Sequence, residues 1–415
     1  MYLVTSLVQL IQNPSASSTG PRPGPVKVVH LISDLSTGGA EIMLYRLLSH
    51  IDRSRFENVV ISLTGLGTLG TKIESLGIPV ITLGKREAGL PGSIGWGRLL
   101  LLSLMGFWRL VLQLKRARPT ILQTWLYHSD LFGLMAGKLA GVPAIVWNLR
   151  CTNLKIKRDF AMRLLASLSV YPQGVLVNSS AGQQFHETEG YRPKKWVLIP
   201  NGFDLNVFRP DSGARKSLRD ERRLPEEAFL IGLIARVDPL KGHDTFLHGA
   251  KLLLEHKKDV HFVLAGSQVD HDNSSLVTDI KALGLSGHVH LLGERQDIQN
   301  VIAALDVLTN SSTAEGFPNV VGEAMACGVP CVVTDVGDSA FLVGVTGRLV
   351  PPGNPDLLAQ AWIELVEMDR EKRVQLGMAA RERIRGRFDI TSVVKRYEAC
   401  YEDFVAEATG NRGRR

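Results

Sequence analysis

Short apolar runs alternate with longer amphipathic segments from Val26 to the end of the chain. An apolar run bounded by turn residues reads as a strand buried on both faces, and a longer stretch with apolar residues three and four apart reads as a helix covering it. The first series places strands at Val26–Ile32, Asn58–Leu63, Pro79–Leu83, Ile121–Thr124, Ala144–Asn148 and Gly174–Asn178. A helix over Ala40–Ile51 turns Ile42, Met43, Leu47 and Ile51 inward. The second series places strands at Phe229–Ala235, Val260–Ala265, His288–Leu292, Val307–Asn310 and Cys331–Thr334. Between them Pro200–Arg223, with an Asn-Gly turn, Pro200, Pro210 and dense charge, reads as a linker. This α/β alternation predicts two doubly wound parallel-sheet domains, with a ligand between them at the carboxyl ends of both sets of strands.

Composition agrees and narrows the class. The 415 residues can bury two cores, and 45% hydrophobic with 21% charged residues excludes a disordered chain. Four cysteines (Cys151, Cys327, Cys331, Cys400) are too sparse for a disulfide scaffold. The Gly-Val-Pro spacer between Cys327 and Cys331 fits neither a zinc ribbon nor a redox pair, so buried thiols are expected. The opening MYLVTSLVQLIQ is apolar, yet the first cation is Arg22, so the basic start of a secretory leader is missing, and residues 1–25 read as a flexible lead-in.

The formal net charge of +7 is unevenly placed: residues 1–205 carry 22 cations and 11 anions, residues 206–415 carry 26 and 30. The most apolar window, Leu99–Leu114, is interrupted by Arg109 and falls short of the roughly 20 residues that cross a bilayer. It fits a core helix. Its neighbours Trp96, Arg98, Trp108, Lys115, Arg116 and Arg118 also fit a helix lying on an anionic membrane surface, with Lys155–Arg163 as a second basic stretch.

Several motifs carry candidate chemistry. Gly65–Gly70 matches the GxGxxG dinucleotide fingerprint, but it follows the second strand and has only Glu87 as a later acidic partner, so a plain βα loop is the better reading. Asp270-His271-Asp272 imitates a metal-holding DxD, though Asn273, Ser274 and Ser275 after it suit a turn and helix cap. In Ser311–Val333, Pro318 and Gly328 bracket a helix over Pro318–Cys327, with Glu315 in the loop before it and Glu323 on it. Two carboxylates so spaced suit several hydroxyls, as in a sugar or ribose, and the backbone of Gly316, Phe317, Pro318 and Asn319 forms a helix start suited to an anion. An ordinary capped helix with solvated acids fits the same spacing. Gly38 and Gly39, where the first strand gives way to its helix, allow close approach of backbone to a phosphate or sugar.

Glu315 and Glu323, with seven residues between them inside EGFPNVVGEAMACGVPCV, resemble the EX7E motif of the family 4 retaining glycosyltransferases, which have the GT-B fold of two facing Rossmann-like domains. The resemblance extends through STGGAE at Ser36–Glu41, QTWLYHSD at Gln123–Asp130, VNSS at Val177–Ser180, IPNGFD at Ile199–Asp204, ARVDPLKG at Ala235–Gly242, LLGERQDI at Leu291–Ile298 and GRLVPPGNPDLLA at Gly347–Ala359. It implies an acceptor-side domain over 26–203, a nucleotide-sugar domain over 204–385, and a helix in 386–415 that crosses back to the first domain.

It also implies roles. Arg236 and Lys241 would bind the diphosphate, Glu323 the ribose hydroxyls, and Glu315 the sugar hydroxyls opposite the leaving group. His128 would stand near the donor sugar, Arg150 on the acceptor or phosphate side, and the loop Gly293–Asp297, with Arg295, at the nucleobase. The implied reaction moves a sugar from a nucleotide-diphosphate sugar to an acceptor hydroxyl with retention, without metal or cofactor, in polysaccharide or glycolipid assembly. The acceptor is a glycan or lipid-linked glycan, and the setting is the cytoplasm or the inner face of its membrane. The alternatives are a GT-B-type nucleotide-sugar 2-epimerase and, on Gly65–Gly70, an NAD-dependent oxidoreductase.

Overall fold

The computed structural model describes residues 24–36, 38–84, 96–150 and 160–410. Residues 1–23, Glu87, Cys151, Lys155–Arg158 and the side chains of Trp96 and Arg98 lie outside this description.

Seven strands form the first sheet: β1 (Val26–Ile32), β2 (Phe56–Ser62), β3 (Val80–Thr82), β4 (Ile121–Trp125), β5 (Ala144–Leu149), β6 (Gly174–Val177) and β7 (Trp196–Leu198). The helices between them are α1 (Gly39–His50), α2 (Gly67–Ser75), α3 (Trp96–Ala117), α4 (Tyr127–Ala140), α5 (Phe160–Leu168) and α6 (Ser180–Thr188). After α7 (Ser212–Arg222) come β8 (Phe229–Ile234), α8 (His243–His256), β9 (Val260–Ala265), α9 (Ser274–Ala282), β10 (Val289–Leu291), α10 (Ile298–Ala303) and β11 (Val307–Asn310). The chain closes with α11 (Asn319–Ala326), β12 (Cys331–Thr334), α12 (Ser339–Val343), β13 (Gly347–Val350), α13 (Pro355–Glu367), α14 (Arg370–Arg387) and α15 (Ile390–Gly410).

Both sheets are wholly parallel, in the orders β3-β2-β1-β4-β5-β6-β7 and β10-β9-β8-β11-β12-β13. Strand order therefore reverses between β1 and β4 and between β8 and β11, and a crevice opens at the carboxyl end of each pair. Two strands are additions to the sequence expectation. β7 and β13 are short, partly exposed edge strands: β7 is an apolar run of three residues beside the expected linker, and β13 opens on Gly347 and Arg348. The expected linker also holds a helix: α7 is almost entirely polar, with Ala214 and Leu218 as its buried apolar residues, and Asp211 caps it by accepting from the Gly213 and Ala214 amides.

Helix α3 divides the two readings of its sequence between its two sides. Leu110, Val111 and Leu114 are buried against β1, β2 and β4, whereas Leu104, Met105, Trp108 and Leu112 are exposed. The C-terminal α15 buries Val393, Tyr397, Tyr401 and Phe404 in the first domain's core, where the Tyr401 hydroxyl donates to Gln123 Oε1. The chain thus crosses between domains twice. The two crossings are tied by Phe203 N–H donating to Phe388 O (2.9 Å) and Ile390 N–H donating to Phe203 O (3.0 Å).

Two buried histidines of the first domain are built to be neutral. His30 Nδ1 accepts from Trp125 Nε1 (3.3 Å), leaving Nε2–H to donate to Asn58 Oδ1 (3.0 Å). His186 Nδ1–H donates to Gly182 O (2.6 Å), and Nε2 accepts from the Tyr127 hydroxyl (2.9 Å). Burial lowers both to a pKa of about 4. The unfolded chain binds these protons near pH 6.5, so stability is full above that value and is lost as pH falls through about 4. Denaturant midpoints measured across this window are expected to fall with pH and to flatten in the double variant His30→Asn, His186→Asn. An acid limb unchanged in the double variant would overturn the assignment.

Candidate functional site

At the second sheet's reversal, the chain leaves β8 through Arg236 into a 3-10 turn, Pro239–Lys241, whose cap Asp238 accepts from the Leu240 amide (2.9 Å). Gly242 follows at φ +67°, and a Cβ there would lie 2.0 Å from Ser311 O, so only glycine lets this turn press on the loop after β11. The contact brings Lys241 Nζ to 2.6 Å from Glu315 Oε1, which also accepts from the Ser312 hydroxyl (2.7 Å). Arg236 is 65% exposed, with Nη2 at 3.4 Å from Asp238 Oδ2. Cations and carboxylate are thus fixed at the mouth of the second sheet.

α11 starts one residue later and ends one earlier than the sequence implies, because Pro318 is its extended N-cap and Cys327 its C-cap. Phe317 turns its side chain into the core. Its ring is buried and stacks on Phe203 at 6.4 Å between centroids, leaving its backbone to the loop. Asn319 instead faces the first domain: its Oδ1 accepts from Asn201 Nδ2 (2.5 Å), and a Cβ on Gly39 would lie 3.1 Å from its Nδ2. One turn on, Glu323 Oε1 accepts from Arg46 Nη2 of α1 at 2.5 Å. Both side chains of this ion pair are about nine-tenths buried, at 9% and 11% exposure. Arg46 also donates to Gly202 O (3.1 Å) and lies over the rings of Phe203 and Phe208.

The first sheet's reversal carries Gly38, the N-cap of α1, and His128, exposed in the first turn of α4. Leu126, which leads into α4, sits at φ 70° and ψ 164°, a region occupied almost only by glycine and costing about 1–3 kcal/mol. The buried Asp130 accepts from the Thr124 hydroxyl and holds the turn, while burial raises its carboxyl well above the usual range.

Two candidates stand apart from this cluster. Arg150 is buried rather than open to an acceptor. It donates to Asn201 Oδ1 and to the Tyr397 hydroxyl and lies over Trp125, tying α15 to the first sheet. The Arg295 guanidinium is shared between Asp297 and Glu221 of α7, and it lines a surface pocket between α7 and α10 with Asp211, Ser217 and Asn300. Its strong acidic partners raise its pKa further and leave it no free fork for a base.

The tempting motifs have structural explanations. A Cβ on Gly67 would lie 2.3 Å from the Leu35 backbone, so that glycine serves close packing of α2. Asp270 accepts from the Asp272 amide (3.1 Å) and Asn273 caps α9. Among the described residues no group of three or more His, Cys, Asp or Glu converges as a metal site. Cys327, Cys331 and Cys400 are free and buried, and burial pushes the Cys327 and Cys400 thiols up to about 12.

Two family models match the chain, "Glycosyltransferase Family 4" over residues 37–207 and "Glycosyl transferases group 1" over residues 228–368. The chain is a glycosyltransferase, with a family 4 domain followed by a group 1 domain. It is 26% identical over 325 residues to the putative glycosyltransferase EpsF of Bacillus subtilis, covering 74% of this chain and 79% of that one. It is 26% identical over 318 residues to an Escherichia coli UDP-Gal:alpha-D-GlcNAc-diphosphoundecaprenol alpha-1,3-galactosyltransferase, covering 73% and 79%. The crystal structure of Anabaena Alr3699/HepE in complex with UDP and glucose superposes with a TM-score of 0.78 at 24% identity, covering 91% of this chain and all of that one. The two facing Rossmann-like domains are the GT-B fold.

Three residues of this glycosyltransferase that close its cleft escape the sequence reading: Arg46, Asn201 and Asp338. Arg46 leaves one trace there, a cation between Met43 and His50 on the inward stripe of α1. Asp338 leaves none. Its carboxylate crosses to the first domain and accepts from the Ser180 (2.8 Å) and Ala181 (2.9 Å) amides at the start of α6, completing a cap begun by Ser179. Asp338→Ala is expected to cost about 1 kcal/mol, as loss of a helix cap does. Arg46→Ala is expected to cost about 3–5 kcal/mol, because Glu323 is left charged and buried. Both variants should show a larger radius of gyration by small-angle scattering, and unchanged scattering from both would remove these contacts as closing contacts.

Proposed function

We propose that this glycosyltransferase moves a hexosyl residue from a nucleoside diphosphate sugar to a hydroxyl of a glycan or lipid-linked glycan, with retention of anomeric configuration. The observation that carries the reading is the placement of Arg236, Lys241 and Glu315 at one strand reversal and of Gly38, Gly39 and His128 at the other. Such a donor brings roughly two negative charges, and its departure adds more at the leaving oxygen, so fixed cations and helix-start amides are the groups the reaction needs. Arg236 and Lys241 take the diphosphate, with the N–H groups of Gly38, Gly39, Gly316, Phe317 and Asn319 around it. Glu315 holds sugar hydroxyls opposite the leaving group and favours the positive charge growing at the anomeric carbon. Glu323, oriented by Arg46, takes the ribose hydroxyls, and His128 binds a sugar hydroxyl from the first domain.

No carboxylate stands free as a covalent nucleophile among these groups. The acceptor oxygen therefore bonds the anomeric carbon on the face that the diphosphate leaves, and the departing phosphate oxygen takes the acceptor's proton. Closure of the two domains keeps water from the donor. The E. coli relative named for a lipid-diphosphate acceptor supports a role in polysaccharide or glycolipid assembly, carried out at the cytoplasmic face of a membrane.

Lys241→Ala is expected to lower transfer by roughly 10²–10³-fold, the cost of removing a fixed group that meets developing charge, and Glu323→Gln to raise the KM for the donor, with the circular dichroism spectrum unchanged. Full activity in both purified variants would sink the site assignment. Transfer should persist in EDTA, and the product's anomeric proton coupling should match the donor's. Activity lost in EDTA and restored by manganese would return the metal to Asp270 and Asp272. Conversion of donor in the absence of acceptor would favour the 2-epimerase instead.

A further inference from the structure

We infer that the outer face of α3 and α4 docks this enzyme on an anionic phospholipid surface. Leu104, Met105, Trp108 and Leu112 follow helical spacing on the solvent side of α3, and Trp108 is 56% exposed. Met135 and Leu139 continue the exposed apolar surface on α4. The two helices pack side by side, joined by the Phe107 and Phe132 rings with centroids 6.5 Å apart. Both end at the same edge of the sheet, because each leads into a parallel strand, β4 or β5. Leu112 is therefore level with Met135, and the exposed apolar side chains form one band rather than isolated residues.

Charge selects the occupant. Arg109, Lys115, Arg116 and Lys138 are exposed along the same two helices, and Arg118 is exposed just past α3. The sequence of α3 contains no acidic residue, and the one acid of α4, Asp130, is fully buried against Thr124. An apolar band edged by cations alone matches a lipid surface with acyl chains below and phosphates above. A second copy seated on this face would meet it with like charge, since the two helices expose no acid to pair with those cations. No helix among the described residues is long and apolar enough to cross a membrane, so the contact is one of surface seating. The start of α3 descends from the carboxyl edge of the first sheet, the same edge that holds Gly38 and His128. The seated face therefore adjoins the acceptor side of the cleft.

This inference deepens the proposed membrane setting, yet its test uses no sugar substrate and stands or falls apart from the transfer reading. The full chain is floated with vesicles of phosphatidylcholine, with and without roughly a third of phosphatidylglycerol, at low and high salt. Binding is expected only with phosphatidylglycerol, weakening with salt. The double variant Trp108→Glu, Leu112→Glu is expected to bind at least tenfold more weakly, and Arg109→Glu with Arg116→Glu to lose the preference for anionic vesicles. Thermal melting confirms that both remain folded. Absence of vesicle binding would overturn the inference, as would equal binding by the apolar-face variant. A dimer in light scattering that Trp108→Glu dissociates would assign the face to a second copy instead.

Discussion

The buried ion pair between Arg46 and Glu323 sets the relation between the two domains. Charges removed from water are tolerated only when each meets the other with its remaining donors satisfied, and here Arg46 also finds Gly202 O and the faces of Phe203 and Phe208. The pair fixes α1 of one domain against α11 of the other, and those two helices begin at the two strand reversals where the ligand groups gather. Gly39 and Asn319 come close because Arg46 and Glu323, farther along the same helices, hold them there. Positions of cations, carboxylate and helix-start amides around a nucleotide sugar thus inherit their geometry from an interaction that is itself out of solvent.

Around that pair the hinge is stiffened by hydrophobic means. Phe203, Phe317 and Phe388 form a run of touching rings beneath α11, and a Cβ on Gly322 would lie 2.0 Å from the Phe203 ring. The helix that carries Glu323 is therefore seated directly on the crossing between domains. Arg150 does similar work on the other side, joining Asn201 near the hinge to Tyr397 on α15. Rotation of one domain against the other has to pass through these few side chains.

The parallel sheets were legible because inner strands buried on both faces must be continuously apolar. β1, β9, β11 and β12 stand with the bounds their sequence implies. β7 escapes because its three apolar residues run straight into the expected linker, β13 because Gly347 and Arg348 open it, and α7 because a helix held by its cap and by Arg219 needs little apolar surface. In the site, what a single loop holds was legible: Lys241 and Gly242 in the turn after β8, and Glu315 in the loop before α11. Contacts between distant segments were not. Nothing in the neighbourhood of Asp338 tells that its partner is the start of a helix more than 150 residues earlier, as its 157- and 158-residue separations require. Arg295 misleads for the same reason, since Glu221, which captures it, lies on a helix the sequence hides.

The cap that Asp338 gives α6 makes part of one domain's secondary structure conditional on the other. Two amides at the start of α6 are satisfied by a carboxylate only when the domains are together, and by water when they part. Helix order and domain position are then linked quantities, and linkage runs in both directions. Whatever firms the first turn of α6 favours the closed molecule by the same free energy that closure contributes to that turn. A short helix of the first domain is in this sense a sensor of what the second domain is doing.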